Sequence, residues 1–262
     1  LQLWFGFWRH HANELSMATN GSFYGIGSNN LTVNTLSSFG TGNFTVEFFL
    51  YPYSNNNSTY PGFFDCRSSG SDSAGWGIYF NSTNIVLRIG ATNNTVSYNS
   101  LPLYTWTHVA VVRNGTSMQL YTAGTSILSV TNSSNFTRTV WYIGSTFDSY
   151  YYNGLISNLK CQIGSALYTS NFTPPTSPLT ASANTQLLTC QYFTNTMTDQ
   201  SNNNLTISSP TYSSGMNPFG PSTGTINSTE LGLYANSTLI NNNLSETNGI
   251  KRLYISLDDA LV

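Results

Sequence analysis

The chain has 262 residues and a net charge of -2; only 7% of its residues are charged, while 14% are aromatic. Ordinary soluble proteins carry about 25% charged residues, so solubility here rests on Asn, Ser, Thr and Tyr. Without a basic stripe the chain has no electrostatic means of holding a phosphate backbone, which excludes nucleic acid as an expected partner. No segment approaches the roughly 18 apolar residues that span a bilayer, so membrane insertion is not expected either. The length suits one large all-β domain plus an appendage, or two small domains.

Residues 1–19 form an aromatic arm: Trp4, Phe5, Phe7 and Trp8 precede Arg9-His10-His11 and a polar hinge at Ser16 to Thr19. Dense apolar clusters on soluble proteins usually mark interfaces, so these four rings are expected to make assembly contacts. The charges follow the apolar run instead of preceding it, which makes a poor export signal. The chain begins at Leu1, and Met17 is an alternative start.

From Ser22 the pattern changes to short β-type segments punctuated by Gly, Asn and Ser, the spacing of a sandwich. Phe23 to Gly25 and Leu31 to Val33 are expected to pair. In Phe44 to Pro52 both alternating faces are apolar, Phe44, Val46, Phe48 and Leu50 on one and Phe49 and Tyr51 on the other, as in a central strand covered on both sides. Further strands are expected at Phe63 to Cys66, Trp76 to Phe80, Ile85 to Gly90 and Thr95 to Tyr98.

Trp106 to Arg113 has an aromatic start, a β-branched run and a following Asn114-Gly115 turn, and reads as the central strand of the sandwich entering a hairpin. Met118 to Thr122, Ile127 to Val130, Val140 to Gly144 and Leu155 to Gln162 continue the series. At most one helical turn, near Ser165 to Thr169, interrupts it. Pro174, Pro175 and Pro178 mark a crossing loop because proline cannot donate to a ladder. Gln186 to Gln191 and Asn204 to Ile207 complete a domain over residues 20–219. Residues 220–262 form an Asn-rich arm in which Leu231 to Tyr234 and Lys251 to Leu257 have strand character but little to bury.

Three segments in order, Phe39 to Phe48, Trp106 to Ala110 and Asn153 to Leu159, resemble the concanavalin A-like laminin-G/pentraxin jelly-roll family. Ala166 to Thr176 and Leu187 to Cys190 are similar in particular to versions found in structural proteins of tailed phages. The resemblance spans roughly residues 20–219. It implies an all-β jelly roll of two antiparallel sheets, and it implies sugar binding, adhesion, glycan hydrolysis or scaffolding as the functions to weigh.

Hydrolysis needs two carboxylates a few ångströms apart. The chain has ten acidic residues; Glu47 has no acidic neighbour at i+2 or i+4, Asp65 and Asp72 are isolated, and Asp258-Asp259 would point to opposite faces of a strand. His108 reads as a hydrogen-bonded core or rim residue, and His10 and His11 lack a Ser or Cys partner. No catalytic residue, and no enzyme, is expected. Calcium is the ligand that the resemblance implies, but Ser157 and Asn158 stand where many relatives have acidic residues. Asp148, with Asn153 nearby, is the best remaining metal carboxylate, and no cofactor is expected.

Sugar recognition needs aromatic platforms and planar hydrogen-bonding groups. The loop Phe147-Asp148-Ser149-Tyr150-Tyr151-Tyr152-Asn153 carries both, and Trp76, Arg67 and Asp72 could contribute from another loop. The candidate glycan site is therefore Asp148, Tyr150, Tyr151, Tyr152, Asn153, Trp76 and Arg67, although Tyr-rich loops serve protein contacts equally well. Cys66, Cys161 and Cys190 have no zinc spacing. Cys161 and Cys190 could be bridged if their strands are neighbours.

The expectation is a non-enzymatic virion component, a tail, fibre or capsid-decoration protein at the virion surface. It would contact other virion subunits, form a homo-oligomer and bind host-surface glycan for attachment. The alternative is a secreted or cell-surface adhesion glycoprotein, for which sequons at Asn20, Asn43, Asn114, Asn171 and Asn236 are the support.

Overall fold

The computed structural model describes residues 20–25, 28–54, 60–81, 83–97, 99, 101–193, 197–208 and 213–219, and the backbone of 244–247 and 250–253. The expected aromatic arm, with Trp4, Phe5, Phe7 and Trp8, lies outside the described residues, as does Leu231 to Tyr234. The strands are β1 (Ser22–Gly25), β2 (Leu31–Asn34), β3 (Phe44–Pro52), β4 (Gly62–Asp65), β5 (Trp76–Asn81), β6 (Asn84–Ile89), β7 (Thr92–Ser97), β8 (Thr107–Asn114) and β9 (Ser117–Thr122). They continue with β10 (Thr125–Thr131), β11 (Val140–Ile143), β12 (Gly154–Ile163), β13 (Thr185–Thr189), β14 (Ile207–Ser208), β15 (Ser213–Ser214), β16 (Leu244–Thr247) and β17 (Ile250–Leu253). No helix among the described residues is long and apolar enough to cross a membrane.

Two antiparallel sheets form the jelly roll. The larger runs β10-β9-β8-β3-β12-β1-β15, with β13 also on β12, and the smaller runs β14-β2-β11-β4-β5-β6-β7. Contacts divide the chain into two compact units, Leu1–Ser222 and Thr223–Val262. In the second, β16 and β17 pair as an antiparallel hairpin, Leu244 opposite Leu253.

Alternation along each strand sends one set of side chains between the sheets. Phe44, Val46, Phe48 and Leu50 of β3 meet Val109 and Val111 of β8 and Trp76, Ile78 and Phe80 of β5 in one buried core. Its densest part is aromatic: Phe39 stacks on Trp141 with centroids 4.7 Å apart, and Phe44 on Trp76 at 5.5 Å. Such contacts contribute roughly 0.5–1.5 kcal/mol per pair beyond area burial.

β3 is the middle strand of the larger sheet and is covered on both faces, as its doubly apolar pattern requires. β8 is its neighbour, so the strand after Trp106 is interior without being the central one. The β8–β9 hairpin pairs Asn114 with Ser117, leaving Gly115 and Thr116 as the turn. Gly115 takes φ 60, and Asn114 closes the strand in place of opening the turn. The first two strands do not pair with each other: β1 lies beside β12 and β2 beside β11, one in each sheet. Alternation identified their inward residues and could not reveal which neighbour each would find.

Residues 164–184 form an extended strap without a helical turn, within the limit of at most one expected near Ser165. Its Tyr168 and Phe172, stacked 3.6 Å apart, lie on the outward side of the larger sheet over Ala110, Val112 and Tyr121. β12 and β13 are neighbours, yet Cys161 pairs with Leu187 while Cys190 lies beyond the end of β13. The three cysteines are free and buried, and no disulfide forms.

Candidate functional site

The meander β4-β5-β6-β7 sets one rung of the smaller sheet with Asp65, Gly77, Arg88 and Asn93 directly opposite one another. These positions have the parity that points away from the core, as does Tyr79 two residues after Gly77. Gly77 matters because it has no side chain: a Cβ there would lie 2.8 Å from the Asp65 carboxyl carbon. The carboxylate can therefore lie against the sheet.

Arg67 folds back onto it. Its Nε donates to Asp65 Oδ1 at 3.0 Å and its Nη2 to Oδ2 at 2.7 Å, while the Arg67 backbone N–H donates to Oδ1 at 2.8 Å. Asp65 is fully buried and Arg67 only 4% exposed. Burial pushes the Asp65 carboxyl up, and the hydrogen bonds and charge of Arg67 act against it. The guanidinium carbon lies 5.5 Å from the centre of the Tyr79 ring and 5.1 Å from that of Phe147, two cation–π contacts that fix its plane.

Phe147 comes from the loop between β11 and β12. The loop closes on Thr146, whose backbone N–H donates to Tyr150 O at 3.2 Å and whose Oγ1 accepts the Tyr150 N–H at 3.2 Å. Tyr150 sets its ring 5.4 Å from Tyr60, which in turn lies 5.6 Å from Tyr79. Across the rung, Arg88 Nη1 donates to Asn93 Oδ1 at 2.6 Å, and the Tyr79 hydroxyl donates to the same oxygen at 3.0 Å. Arg88 Nε donates to Gly90 O at 3.0 Å, and Nη2 to Gly70 O at 2.5 Å. These groups enclose a groove of about 230 Å³ lined by Tyr60, Arg67, Gly70, Tyr79, Arg88, Asn93, Thr146, Phe147 and Asp148. Ring faces lie beside planar hydrogen-bonding groups held by their neighbours, an arrangement suited to binding a small polar ligand with carbon–hydrogen faces.

Of the expected site residues, Arg67 and Asp148 line the groove and Tyr150 supports it through Tyr60. Tyr151 and Asn153 are half-buried and do not line it. Trp76 and Tyr152 are core residues, both 0% exposed: Trp76 shares the inward parity of Ile78 and Phe80, and Tyr152 packs against Phe63 at 5.3 Å. Neither can reach a ligand. Asp72 is also withdrawn, its carboxylate accepting from Ser68, Ala74 and Arg138. Tyr79, Arg88 and Asn93 were missed, although the alternation that buries Trp76 and Ile78 turns Gly77 and Tyr79 outward.

Glu47 serves the framework of the larger sheet. Glu47 Oε2 accepts from the Tyr168 hydroxyl at 2.7 Å and lies 3.2 Å from His108 Nε2, with Lys160 Nζ 3.9 Å from Oε1, all beneath the strap. Burial and the neighbouring Glu47 push the Tyr168 hydroxyl well up. Ser157 Oγ donates to Gly21 O, and Asn158 Oδ1 accepts from Leu179 N and Gln191 Nε2. Their oxygens are thus directed at protein groups. Among the described residues no group of three or more His, Cys, Asp or Glu side chains could hold a metal ion.

Residues 25–162, more than half of the chain, match the model of the concanavalin A-like lectin/glucanases superfamily, a laminin-G type domain. The chain belongs to that superfamily, and its described sandwich is a lectin-like jelly roll. No curated protein matches it significantly. Among solved structures it is similar to a native heptameric SAP-like pentraxin from Limulus polyphemus, at 20% identity and TM-score 0.42, covering 58% of this chain and 78% of that one. It is similar to domains LG4-5 of the mouse laminin α1 chain, at 14% identity and TM-score 0.42, covering 60% and 47%. A third is domain 4 of an extracellular arabinanase from Geobacillus stearothermophilus, solved with arabinotriose, at 18% identity and TM-score 0.38, covering 51% and 65%.

Proposed function

We propose that the domain is a non-enzymatic carbohydrate-binding module whose glycan site is the groove on the smaller sheet. The observation that carries this reading is the Arg67 guanidinium held between the Tyr79 and Phe147 rings, with Tyr60, Arg88, Asn93 and Asp148 around the same groove. Aromatic faces take the carbon–hydrogen side of a sugar ring, and fixed guanidinium, amide and carboxylate groups take its hydroxyls. A binding role without hydrolysis is supported by the carboxylates: Asp65 is engaged by Arg67, which leaves Asp148 without an acidic partner in the groove.

The setting we propose is the virion surface, as a tail, fibre or decoration subunit that forms a homo-oligomer, contacts other subunits and attaches to host glycan. The low charge and the resemblance of Ala166 to Thr176 to phage structural proteins support it. A glycan array tests the site: wild-type protein binds at least one host-type glycan, and Tyr60→Ala weakens that binding about tenfold, the loss of one aromatic contact. Unchanged binding by Tyr60→Ala removes the groove reading. Serum against the domain is expected to decorate intact particles and block host attachment, and failure of both removes the virion setting alone.

The second reading, a secreted adhesion glycoprotein, is favoured by Asn114, a sequon asparagine exposed beside the β8–β9 turn. Asn43 and Asn171 are less suited, because their side-chain oxygens accept from Gly115 N and Ser126 N. A fall in intact mass on glycosidase treatment would favour this reading.

A further inference from the structure

The outward side of the larger sheet is covered unevenly. The strap roofs one part of it, and Phe219 sits on Phe49 at 5.1 Å further along. Beyond these, Tyr24, Leu155 and Tyr51 lie on one rung across β1, β12 and β3, and Trp106 continues the row with its ring 5.3 Å from Tyr51. Tyr53 joins the row, 5.9 Å from Tyr24 and 5.6 Å from Tyr51, and Tyr104 lies 6.0 Å from Tyr53. All five rings reach solvent, Tyr104 being 63% exposed. At about 4.8 Å per strand the rung is roughly 14 Å long, the reach of a short oligosaccharide and not of one ring.

Tyr104 is held in a costly conformation to stand there. Its φ is 56, a region that bulky residues rarely adopt, and its backbone N–H is fixed by Pro52 O at 2.8 Å. The Tyr53 hydroxyl is pushed up by burial and by the neighbouring Tyr24, Tyr51 and Tyr104 hydroxyls, so four phenols converge on one strip. None of the five ring-bearing residues is charged.

We infer that this aromatic ledge is a second carbohydrate-binding surface, for an uncharged glycan chain lying across the strands. Four of the five rings are tyrosines, each offering an apolar face for the carbon–hydrogen side of a sugar and a hydroxyl for its hydroxyls. The ledge is on the larger sheet and the groove on the smaller, so one domain holds two glycan segments independently.

Affinity electrophoresis of the full chain in native gels containing galactomannan, β-glucan or starch tests this. Wild-type protein is retarded by at least one of the three. Tyr104→Ala, at an exposed position, and Trp106→Ala each weaken the retardation about tenfold, while Tyr60→Ala in the groove leaves it in place. Unfolding midpoints near wild type for Tyr104→Ala establish that the loss is local. The inference is overturned if the wild type passes all three polysaccharides unretarded, or if Tyr104→Ala is retarded like the wild type. It is also overturned if sedimentation shows that Tyr104→Ala only converts a self-associated species to monomer, which would make the ledge an interface between copies. The groove reading stands or falls separately, on Tyr60→Ala in the glycan array.

Discussion

Asp65 and Glu47 are the same device used in two places: a carboxylate on the outward parity of a strand, one in each sheet, buried against a cation. Over Glu47 the strap lays Tyr168 and Phe172, and the Tyr168 hydroxyl donates down to the carboxylate. Over Asp65 the cover stops short, and the outer side of Arg67 faces the groove between two rings. The buried charge therefore does not separate a framework site from the proposed binding site. What lies above it does.

Removing each carboxylate is the strongest way to break this comparison. Asp65→Asn leaves the buried Arg67 without its counter-charge and is expected to cost about 3 kcal/mol, read from the urea midpoint, and to remove the glycan-array binding that is sensitive to Tyr60→Ala. Glu47→Gln exposes Lys160 to the same fault at a similar cost of about 3 kcal/mol, yet leaves binding intact. Equal loss of binding in both variants would show that general destabilisation, and not the groove, carries the effect.

A smaller effect sharpens the role of the strap. Tyr168→Phe deletes the hydrogen bond to Glu47 and should cost about 2 kcal/mol, the range for a bond to a charged acceptor, with binding unchanged. A loss of binding here would tie the strap to the site.

The smallest effect concerns pH. Burial pushes the Asp72 carboxyl up, but hydrogen bonds from Arg138, Ser68 and Ala74 outweigh it and hold the group at about 2, against an ordinary 3.8. Because the native value is the lower one, its contribution is complete above about pH 4 and is lost as pH falls through 2. After screening at the half-exposed Arg138 this amounts to about 1–2 kcal/mol. Urea midpoints between pH 5 and pH 2 should fall more steeply in the wild type than in Asp72→Asn.

Strands were legible in the sequence because the period of two survives in almost every one, and β3 declared its central place by being apolar on both faces. Alternation also contained most of the groove. Once Trp76, Ile78 and Phe80 are assigned inward, Tyr79 must face out, and Arg88 follows from Leu87 and Ile89. Treating Trp76 as a surface platform overrode that parity because of its residue type. Sheet membership was not legible: nothing local to Phe23 or Val33 says that one will find β12 and the other β11, since such pairings are set by contacts more than a hundred residues away. The strap was equally hidden, because an extended segment held by Tyr168 and Phe172 has no period to detect.

The bond from Asn217 Nδ2 to Asn20 O, at 3.4 Å, together with the pairing of Ser22 with Ser214, brings the two ends of the sandwich to one point. Asn20 and Asn217, near the first and last described residues of the sandwich, lie side by side like the two cords of a pendant. Such a unit can be spliced into a host backbone at little cost in loop closure, because its ends already meet. Tension on those ends would peel β15 from β1 one hydrogen bond at a time, opening the clasp while β3, β8 and β12 keep the body of the sandwich whole.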